Sequence, residues 1–289
     1  MNVRTPDGRD LDVLVHGPQD APLVLVHHGT PGSAALTRSY RAAADRLGLR
    51  LAMWSRPGYG PSTRRAGRVV ADVVPDAVAV ADALGARTFA TTGGSGGGPH
   101  ALALGALVPE RCLAVATVAS VAPWDADGLD PLAGMGEGNL EEFAAVLQGE
   151  AVLRPLLDGW SADMLAAGLP GMVAGMRSVL SPPDLAVLTG DVAAEAWASF
   201  AHGLSRGVDG WVDDDLAFVR PWGFAVADVR VPVDLWQGGQ DLMVPPAHGD
   251  WLAAHVPGVR AHLLEHDGHL TLHQTRAHEL LAPLAAALS

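Results

Sequence analysis

A glycine-rich stretch with one serine at its centre constrains this chain more than any other feature. Residues 91–98 read Thr-Thr-Gly-Gly-Ser-Gly-Gly-Gly. The β-branched and aromatic residues before it predict a short buried strand over residues 87–92, and the Ala- and Leu-rich run after it predicts a helix over residues 99–107. Ser95 therefore lies in a Gly-x-Ser-x-Gly turn between a strand and a helix. Small neighbours at such a turn permit a strained backbone that exposes the hydroxyl.

The absence of lysine excludes several other uses of a glycine-rich loop. All 19 basic residues of the chain are arginines, so no lysine can contact phosphates as in a nucleotide-binding loop of Walker type. The same absence excludes a lysine Schiff base and a serine–lysine catalytic pair. If Ser95 acts as a nucleophile, a histidine or a carboxylate must take its proton.

The composition is that of a globular protein with a substantial core, since hydrophobic residues make up 49% of the 289 residues. A formal net charge of −13 argues against nucleic acid and anionic membrane surfaces as partners. No basic leader precedes an apolar stretch at the N-terminus, and no apolar run reaches the roughly 18–20 residues that a membrane span requires. We therefore expect a cytoplasmic protein, whose oligomeric state the sequence leaves open.

The order of the predicted elements indicates an α/β fold with a helical insertion. Short apolar strands alternate with helical segments over residues 1–121 and again over residues 226–289, which predicts a mostly parallel central sheet flanked by helices. Residues 122–225 carry helical segments and no strand pattern, and we expect an all-helical cap there. Besides the elements around Ser95, the predicted core strands are 11–16, 23–28, 49–54, 231–236 and 259–265, and the predicted core helices are 33–47, 69–84 and 272–288.

Two side chains that could activate Ser95 follow predicted strands. Asp241 comes after the strand at 231–236, and His269 comes after the next strand along the chain. Ligands collect at the carboxyl ends of the strands in open parallel sheets, so an acid and a histidine at these places can meet the serine. A serine hydroxyl needs a base to remove its proton, and the base needs an orienting group. Asp125, which follows an earlier strand, is the alternative acid.

A tight loop of His, Gly, Thr and Pro over residues 27–32 follows one of the first strands. It can present the backbone N–H of Thr30 to the same edge of the sheet. Together with the N–H of Gly96, this group would form a pair of donors for a developing oxyanion.

These segments together resemble an α/β-hydrolase-fold protein with a helical cap, of the esterase and proline-iminopeptidase-like branch. The resemblance implies that Ser95 is the nucleophile, His269 the general base and acid, and Asp241 the orienting carboxylate. It also implies that Thr30 and Gly96 supply the oxyanion donors. The segments that carry it, in family order, are His28–Gly32, Arg56–Ser62, Gly93–Gly97, Gly238–Pro245 and Gly268-His269.

Large apolar side chains of the expected cap could line a substrate pocket. Trp and Met residues are frequent there, and some must face the cleft because the cap has only the core to cover. The candidate substrate-binding residues are Trp124, Met135, Trp160 and Trp197. Their apolar character favours a moderately hydrophobic small molecule.

The sequence thus predicts a serine hydrolase that cleaves a small carboxylic ester or lactone through an acyl-enzyme. This chemistry requires no cofactor and no metal. One alternative is an aminopeptidase or amidase of proline-iminopeptidase type, which would need cap carboxylates for a free amine; Glu137, Glu141, Glu142 and Glu195 are available. A second alternative is a non-hydrolytic lyase or a perhydrolase that uses the same three residues.

Overall fold

A computed structural model describes residues 1–289 and contains one sheet of eight strands in the order β1-β2-β4-β3-β5-β6-β7-β8. Strands β1 and β2 pair in antiparallel fashion, and every other pairing except that of β2 with β4 is parallel. This confirms the predicted α/β class with a mostly parallel sheet. The strands are β1 Asn2–Arg4, β2 Asp10–His16, β3 Leu23–His27, β4 Arg50–Trp54, β5 Phe89–Gly94, β6 Cys112–Val118, β7 Val233–Gly238 and β8 Arg260–Leu264.

Helices cover the sheet and form the insertion. Those of the core are α1 Arg38–Leu47, α2 Val74–Ala83, α3 Gly98–Leu107, α9 Pro246–His255, α10 His269–Thr275 and α11 Ala277–Ala287. Those between β6 and β7 are α4 Glu137–Val146, α5 Glu150–Gly175, α6 Pro182–Val187, α7 Gly190–Gly203 and α8 Asp209–Phe218. None of these helices is both long enough and apolar enough to cross a membrane.

The central strands are buried on both faces because helices pack on each side. Leu23 and Leu25 of β3 belong to one apolar cluster, whereas Val24 and Val26 belong to the other. Successive side chains of a strand point to opposite faces of the sheet, so this alternation shows that β3 separates two cores. The central part of the sheet is therefore packed against apolar side chains on both faces.

The insertion between β6 and β7 contains five helices and no strand, as predicted. All five helices lie within residues 122–225. Two apolar clusters hold them together, one around Leu153, Leu157 and Trp211 and the other around Met172 and Leu188. The insertion therefore has packing of its own besides its contacts with the sheet.

The core helices differ from the sequence prediction in three ways. Helix α1 begins at Arg38 rather than at residue 33, because the Thr37 side chain accepts a hydrogen bond from the Tyr40 amide and caps the helix there. The single helix predicted over 272–288 is two helices that meet at Arg276. Helix α9 was not predicted at all. Its sequence has little amphipathic pattern, which leaves no periodic signal to read.

Candidate active site

The turn after β5 holds Ser95 in a conformation that few residues adopt. Ser95 has a φ of 54°, in the left-handed region, and lies between the last residue of β5 and the first turn before α3. A Cβ atom on Gly93 would lie 2.1 Å from the carbonyl oxygen of Gly97, and one on Gly97 would lie 2.5 Å from that of His27. Glycine is therefore required at both positions for the chain to turn so tightly, and the turn presents the Ser95 side chain to a cavity.

Asp241 and His269 form a buried pair next to this turn. Asp241 lies in the loop after β7, and His269 is the first residue of α10, after β8. Nδ1 of His269 lies 2.8 Å from Oδ2 of Asp241, and the other carboxylate oxygen accepts hydrogen bonds from the amides of Met243 and Val244 at 2.8 and 2.9 Å. The carboxylate is thus fixed by the backbone, and it in turn fixes the imidazole.

The electrostatics of this pair favour a basic imidazole. Burial lowers the pKa of His269, but the charge and hydrogen bond of Asp241, helped by the Asp184 carboxylate, raise it more. The net effect is a pKa above the ordinary value of 6.5. A histidine of this kind can take a proton from a hydroxyl and return it to a leaving group.

Asp184 of the insertion fixes the start of the helix that carries His269. Its two oxygens accept hydrogen bonds from the amides of His269, Leu270 and Thr271 at 2.8, 2.7 and 3.1 Å. The first amides of a helix have no partner within the helix, and a carboxylate there satisfies them and complements the helix dipole. A residue of the insertion therefore positions the backbone of His269.

Ser95, His269 and Thr30 line the same cavity, which has a volume of about 210 Å³. Apolar side chains from the insertion form much of its wall. They are Met176, Leu188, Val192, Ala196 and Phe200. Glu195 is the one acidic residue of the lining, and it accepts a hydrogen bond from the Arg38 amide at 3.1 Å.

The two residues predicted to supply oxyanion donors are neighbours. A Cβ atom on Gly96 would lie 2.4 Å from the side-chain oxygen of Thr30, so the Thr30 side chain packs directly on the backbone of Gly96. Gly29 lies against Ser95, since a Cβ atom built on it would be 3.5 Å from Cβ of the serine. The loop after β3 therefore lies directly beside the Ser95 turn.

The sequence matches the family described as alpha/beta hydrolase fold over residues 22–274. The chain belongs to the α/β-hydrolase family. This confirms the resemblance carried by the five segments and the enzyme class expected from it.

Esterases are among the proteins to which this α/β-hydrolase is similar. A bifunctional esterase/perhydrolase of Acinetobacter calcoaceticus is 31% identical over 122 residues, which span 42% of this chain and 44% of that protein. The chain thus spans less than half the length of this curated relative. An esterase of Rhodococcus sp. ECU1013 has a TM-score of 0.71 at 17% identity, covering 100% of this chain and 99% of its own. The enol-lactonase of Burkholderia xenovorans LB400 has a TM-score of 0.67 at 17% identity over the same shares. At these identities the two structures show a shared fold.

The aromatic residues predicted to bind substrate lie elsewhere in this α/β-hydrolase. Trp124 stacks on Phe143 at 5.5 Å between ring centres, and Trp160 packs near Trp211. None of the four predicted residues is part of the cavity lining. Met135 is buried away from it, and Trp197 packs against the second apolar cluster of the insertion. Residue type alone could not distinguish side chains inside the insertion from side chains on its face over the sheet.

The alternative acid, Asp125, lies in a different environment from Asp241. Asp125 is exposed to solvent, whereas Asp241 is 1% exposed and contacts His269 directly. Both acids follow predicted strands, so the sequence left the choice open, and the contact with His269 favours Asp241.

The sequence did not single out a second histidine in the cavity. His273, one turn after His269, lines the cavity, and its Nδ1 lies 3.2 Å from the Tyr40 hydroxyl. Burial, with the neighbouring His269, lowers the pKa of His273 to about 3, so it is neutral. A Cβ atom on Gly94 would lie 2.2 Å from the His273 ring. The i, i+4 spacing after His269 is the signal that could have revealed it.

Proposed function

We propose that this α/β-hydrolase is a serine hydrolase that cleaves a small, moderately hydrophobic carboxylic ester or lactone. The observation that carries the proposal is the 2.8 Å contact between Asp241 and Nδ1 of His269. A carboxylate on Nδ1 leaves Nε2 of the imidazole to act on the Ser95 hydroxyl, which lines the same cavity.

In the proposed reaction, Nε2 of His269 accepts the Ser95 proton while Oγ attacks the substrate carbonyl carbon. The backbone N–H groups of Thr30 and Gly96 donate hydrogen bonds to the resulting oxyanion. His269 then gives the proton to the leaving alkoxide oxygen, and an acyl-enzyme remains on Ser95. Water, deprotonated by His269, attacks this ester, and the carboxylic acid leaves.

The dimensions and lining of the cavity support the substrate class. A volume of about 210 Å³ is small for a ligand pocket, and the wall contributed by the insertion is formed largely by aliphatic and aromatic side chains. Short to medium acyl groups fit such a cavity better than long chains do. The names of the similar esterases and of the enol-lactonase agree with an ester or lactone carbonyl.

Perhydrolysis is a second candidate because it requires the same groups. Hydrogen peroxide would replace water as the acceptor of the acyl group and yield a peracid. The local similarity to a bifunctional esterase/perhydrolase favours testing it. The aminopeptidase alternative has weaker support, because Glu195 alone among the four cap glutamates lines the cavity, and Arg38 contacts its carboxylate at 3.4 Å.

The test is a panel of p-nitrophenyl acetate, butyrate and octanoate, γ-lactones and proline p-nitroanilide, assayed with wild type and Ser95→Ala. We expect turnover of the short esters or the lactones by the wild type alone. Formation of peracid from hydrogen peroxide and acetate by the wild type would show that the protein has perhydrolase activity as well. Hydrolysis of the anilide without ester turnover would replace the proposal by the aminopeptidase alternative, and equal ester turnover by the Ser95→Ala protein would contradict it.

A further inference from the structure

The carbonyl group of Gly29 is held by two side chains, those of Arg56 and His28. It accepts a hydrogen bond from Nη2 of Arg56 at 3.0 Å, and Nδ1 of His28 lies 2.7 Å from it. Nη1 of Arg56 donates to the preceding carbonyl, that of His28. The two arms of one guanidinium thus bind two successive carbonyls of the loop after β3.

This arrangement fixes the direction of the Thr30 amide. The Gly29 carbonyl and the Thr30 N–H belong to one planar peptide, in which the two groups point in opposite directions. Because Arg56 holds the carbonyl, the N–H must point away from Arg56. Gly29 and Thr30 line the cavity together with Ser95, whereas Arg56 does not. The N–H is therefore directed to the side where the proposed oxyanion would form.

Arg56 is itself held by a carboxylate of the insertion. Nη2 of Arg56 lies 2.6 Å from Oδ2 of Asp214 in α8, and both side chains are at most 1% exposed. The same oxygen accepts hydrogen bonds from the hydroxyls of Thr30 and Tyr59, each at 2.8 Å, and the other oxygen lies 2.6 Å from Arg68. Asp214 therefore contacts the loop residue, the arginine that orients the loop, and two further groups.

The charges of this cluster are complementary. Burial raises the pKa of Asp214, but Arg56 and Arg68 lower it more, and the net pKa is well below the ordinary value. Asp214 is thus ionised. A buried ion pair often contributes little net stability compared with apolar packing, so stability alone gives a weak reason for this arrangement.

We propose that Arg56 and Asp214 are positioning residues for the oxyanion site: Asp214 of the insertion holds Arg56, and Arg56 orients the peptide that presents the Thr30 N–H. This inference rests on the proposed hydrolase function for its catalytic consequence. It makes the helical insertion part of the machinery that stabilises the transition state, in addition to forming the cavity wall.

Arg64 and Asp213 provide a matched control. Asp213 is the residue before Asp214 in α8, and Arg64 lies in the same loop after β4 as Arg56. Nε and Nη2 of Arg64 donate to the two oxygens of Asp213 at 2.9 Å each. This pair joins the same two segments of the chain but has no contact with the loop at Thr30.

The first experiment compares Arg56→Lys with Arg64→Lys. Lysine keeps the charge but cannot bind two carbonyls as a fork. We expect Arg56→Lys to lower kcat about 10- to 100-fold with KM nearly unchanged, and to weaken a trifluoromethyl ketone that mimics the tetrahedral species by a similar factor. Arg64→Lys should leave kcat and the affinity for the trifluoromethyl ketone within about twofold of wild type. An equal decrease of kcat in the two variants would overturn the proposal. So would an increase of KM in Arg56→Lys with kcat unchanged.

A second pair of variants leaves both buried arginines in the sequence, although Thr30→Val also removes an oxygen that accepts from Nη2 of Arg56 at 3.1 Å. Thr30→Val and Tyr59→Phe each remove one hydroxyl that donates to Asp214 at 2.8 Å. We expect Thr30→Val to lower kcat and Thr30→Ser to restore it. Tyr59→Phe should lower kcat less, because the Tyr59 hydroxyl acts on the Thr30 peptide only through Asp214. An unchanged kcat in Thr30→Val would count against the proposal even if Arg56→Lys failed to fold.

The NMR chemical shift and order parameter of the Thr30 amide need no substrate and separate the two proposals. A changed shift and a lower order parameter in Arg56→Lys, with both unchanged in Arg64→Lys, support the positioning role whether or not the wild type cleaves an ester. An unchanged Thr30 amide in both variants refutes it. Absence of ester turnover by the wild type would refute the proposed function alone.

Discussion

Nδ1 of His269 and Oδ2 of Asp241 lie 2.8 Å apart, and the two side chains are 5% and 0% exposed. Two backbone amides hold the second oxygen of Asp241, so the carboxylate cannot rotate away. A hydrogen bond made on Nδ1 sets the tautomer of the ring and leaves Nε2 free to act on the Ser95 hydroxyl in the proposed mechanism.

Replacing Asp241 by Asn should reduce kcat/KM for p-nitrophenyl acetate about 10³- to 10⁴-fold, because an amide can stabilise the wrong tautomer of His269. Asp125→Asn is the matched control, since Asp125 is the alternative acid from the sequence and is exposed. Its activity should stay within about twofold of wild type. A large loss in Asp125→Asn with little loss in Asp241→Asn would assign the orienting role to the other carboxylate.

The acidic limb of the pH–activity profile should report the pKa of His269. The imidazole must be neutral to accept the serine proton, and its pKa is raised above 6.5, so kcat/KM should rise with pH through a value above 6.5. Asp184 contributes to this rise. Asp184→Asn keeps one acceptor oxygen but loses the charge, and the limb should shift to lower pH. A shift to higher pH in a rate–pH titration would contradict this electrostatic role.

Gly94 and His273 should be energetically coupled. The methyl group of Gly94→Ala would collide with the His273 ring, and the ring would have to move, at a cost of about 1–3 kcal/mol in the free energy of unfolding. In a His273→Ala background the same substitution should cost little. A double-mutant cycle by urea unfolding measures the coupling. Additive effects of the two substitutions would show that the ring does not fill this space.

Chain-length preference should depend on the residues of the insertion that line the cavity. Phe200→Ala enlarges it, and we expect kcat/KM for p-nitrophenyl octanoate to rise relative to acetate by about three- to tenfold. Trp160→Phe should leave this ratio unchanged, because Trp160 packs inside the insertion. A changed ratio in Trp160→Phe with an unchanged ratio in Phe200→Ala would instead indicate that Trp160 binds the substrate, as predicted from the sequence.

Much of the fold could be predicted because its signals are local. The strand before Ser95, the helix after it and the absence of strands between β6 and β7 all follow from short stretches of sequence. The position of His269 was equally readable, since Gly-His after the last strand places it at the carboxyl edge of the sheet.

What the sequence could not provide depends on contacts between distant residues. Asp184 and Asp214 read as ordinary solvated acids of an acidic chain, yet each is fully buried against a segment of the core. No apolar stripe marks helix α8 in the sequence, because three consecutive acids, Asp213 to Asp215, interrupt it, although all three are buried. The partners of Asp213 and Asp214 in the loop after β4 lie 149 and 158 residues away, and those of Asp184 lie 85 to 87 residues away. No periodicity encodes such pairing.

The central claim is that Ser95 is a nucleophile activated by His269 and Asp241. The most direct test is intact-mass analysis after treatment with a fluorophosphonate, with wild type, Ser95→Ala and Asp241→Asn compared and the adduct mapped by peptide sequencing. The account predicts one adduct on Ser95 of the wild type, none on Ser95→Ala, and a labelling rate reduced by orders of magnitude in Asp241→Asn. No adduct on the folded wild type, or an adduct that persists in Ser95→Ala, would contradict it.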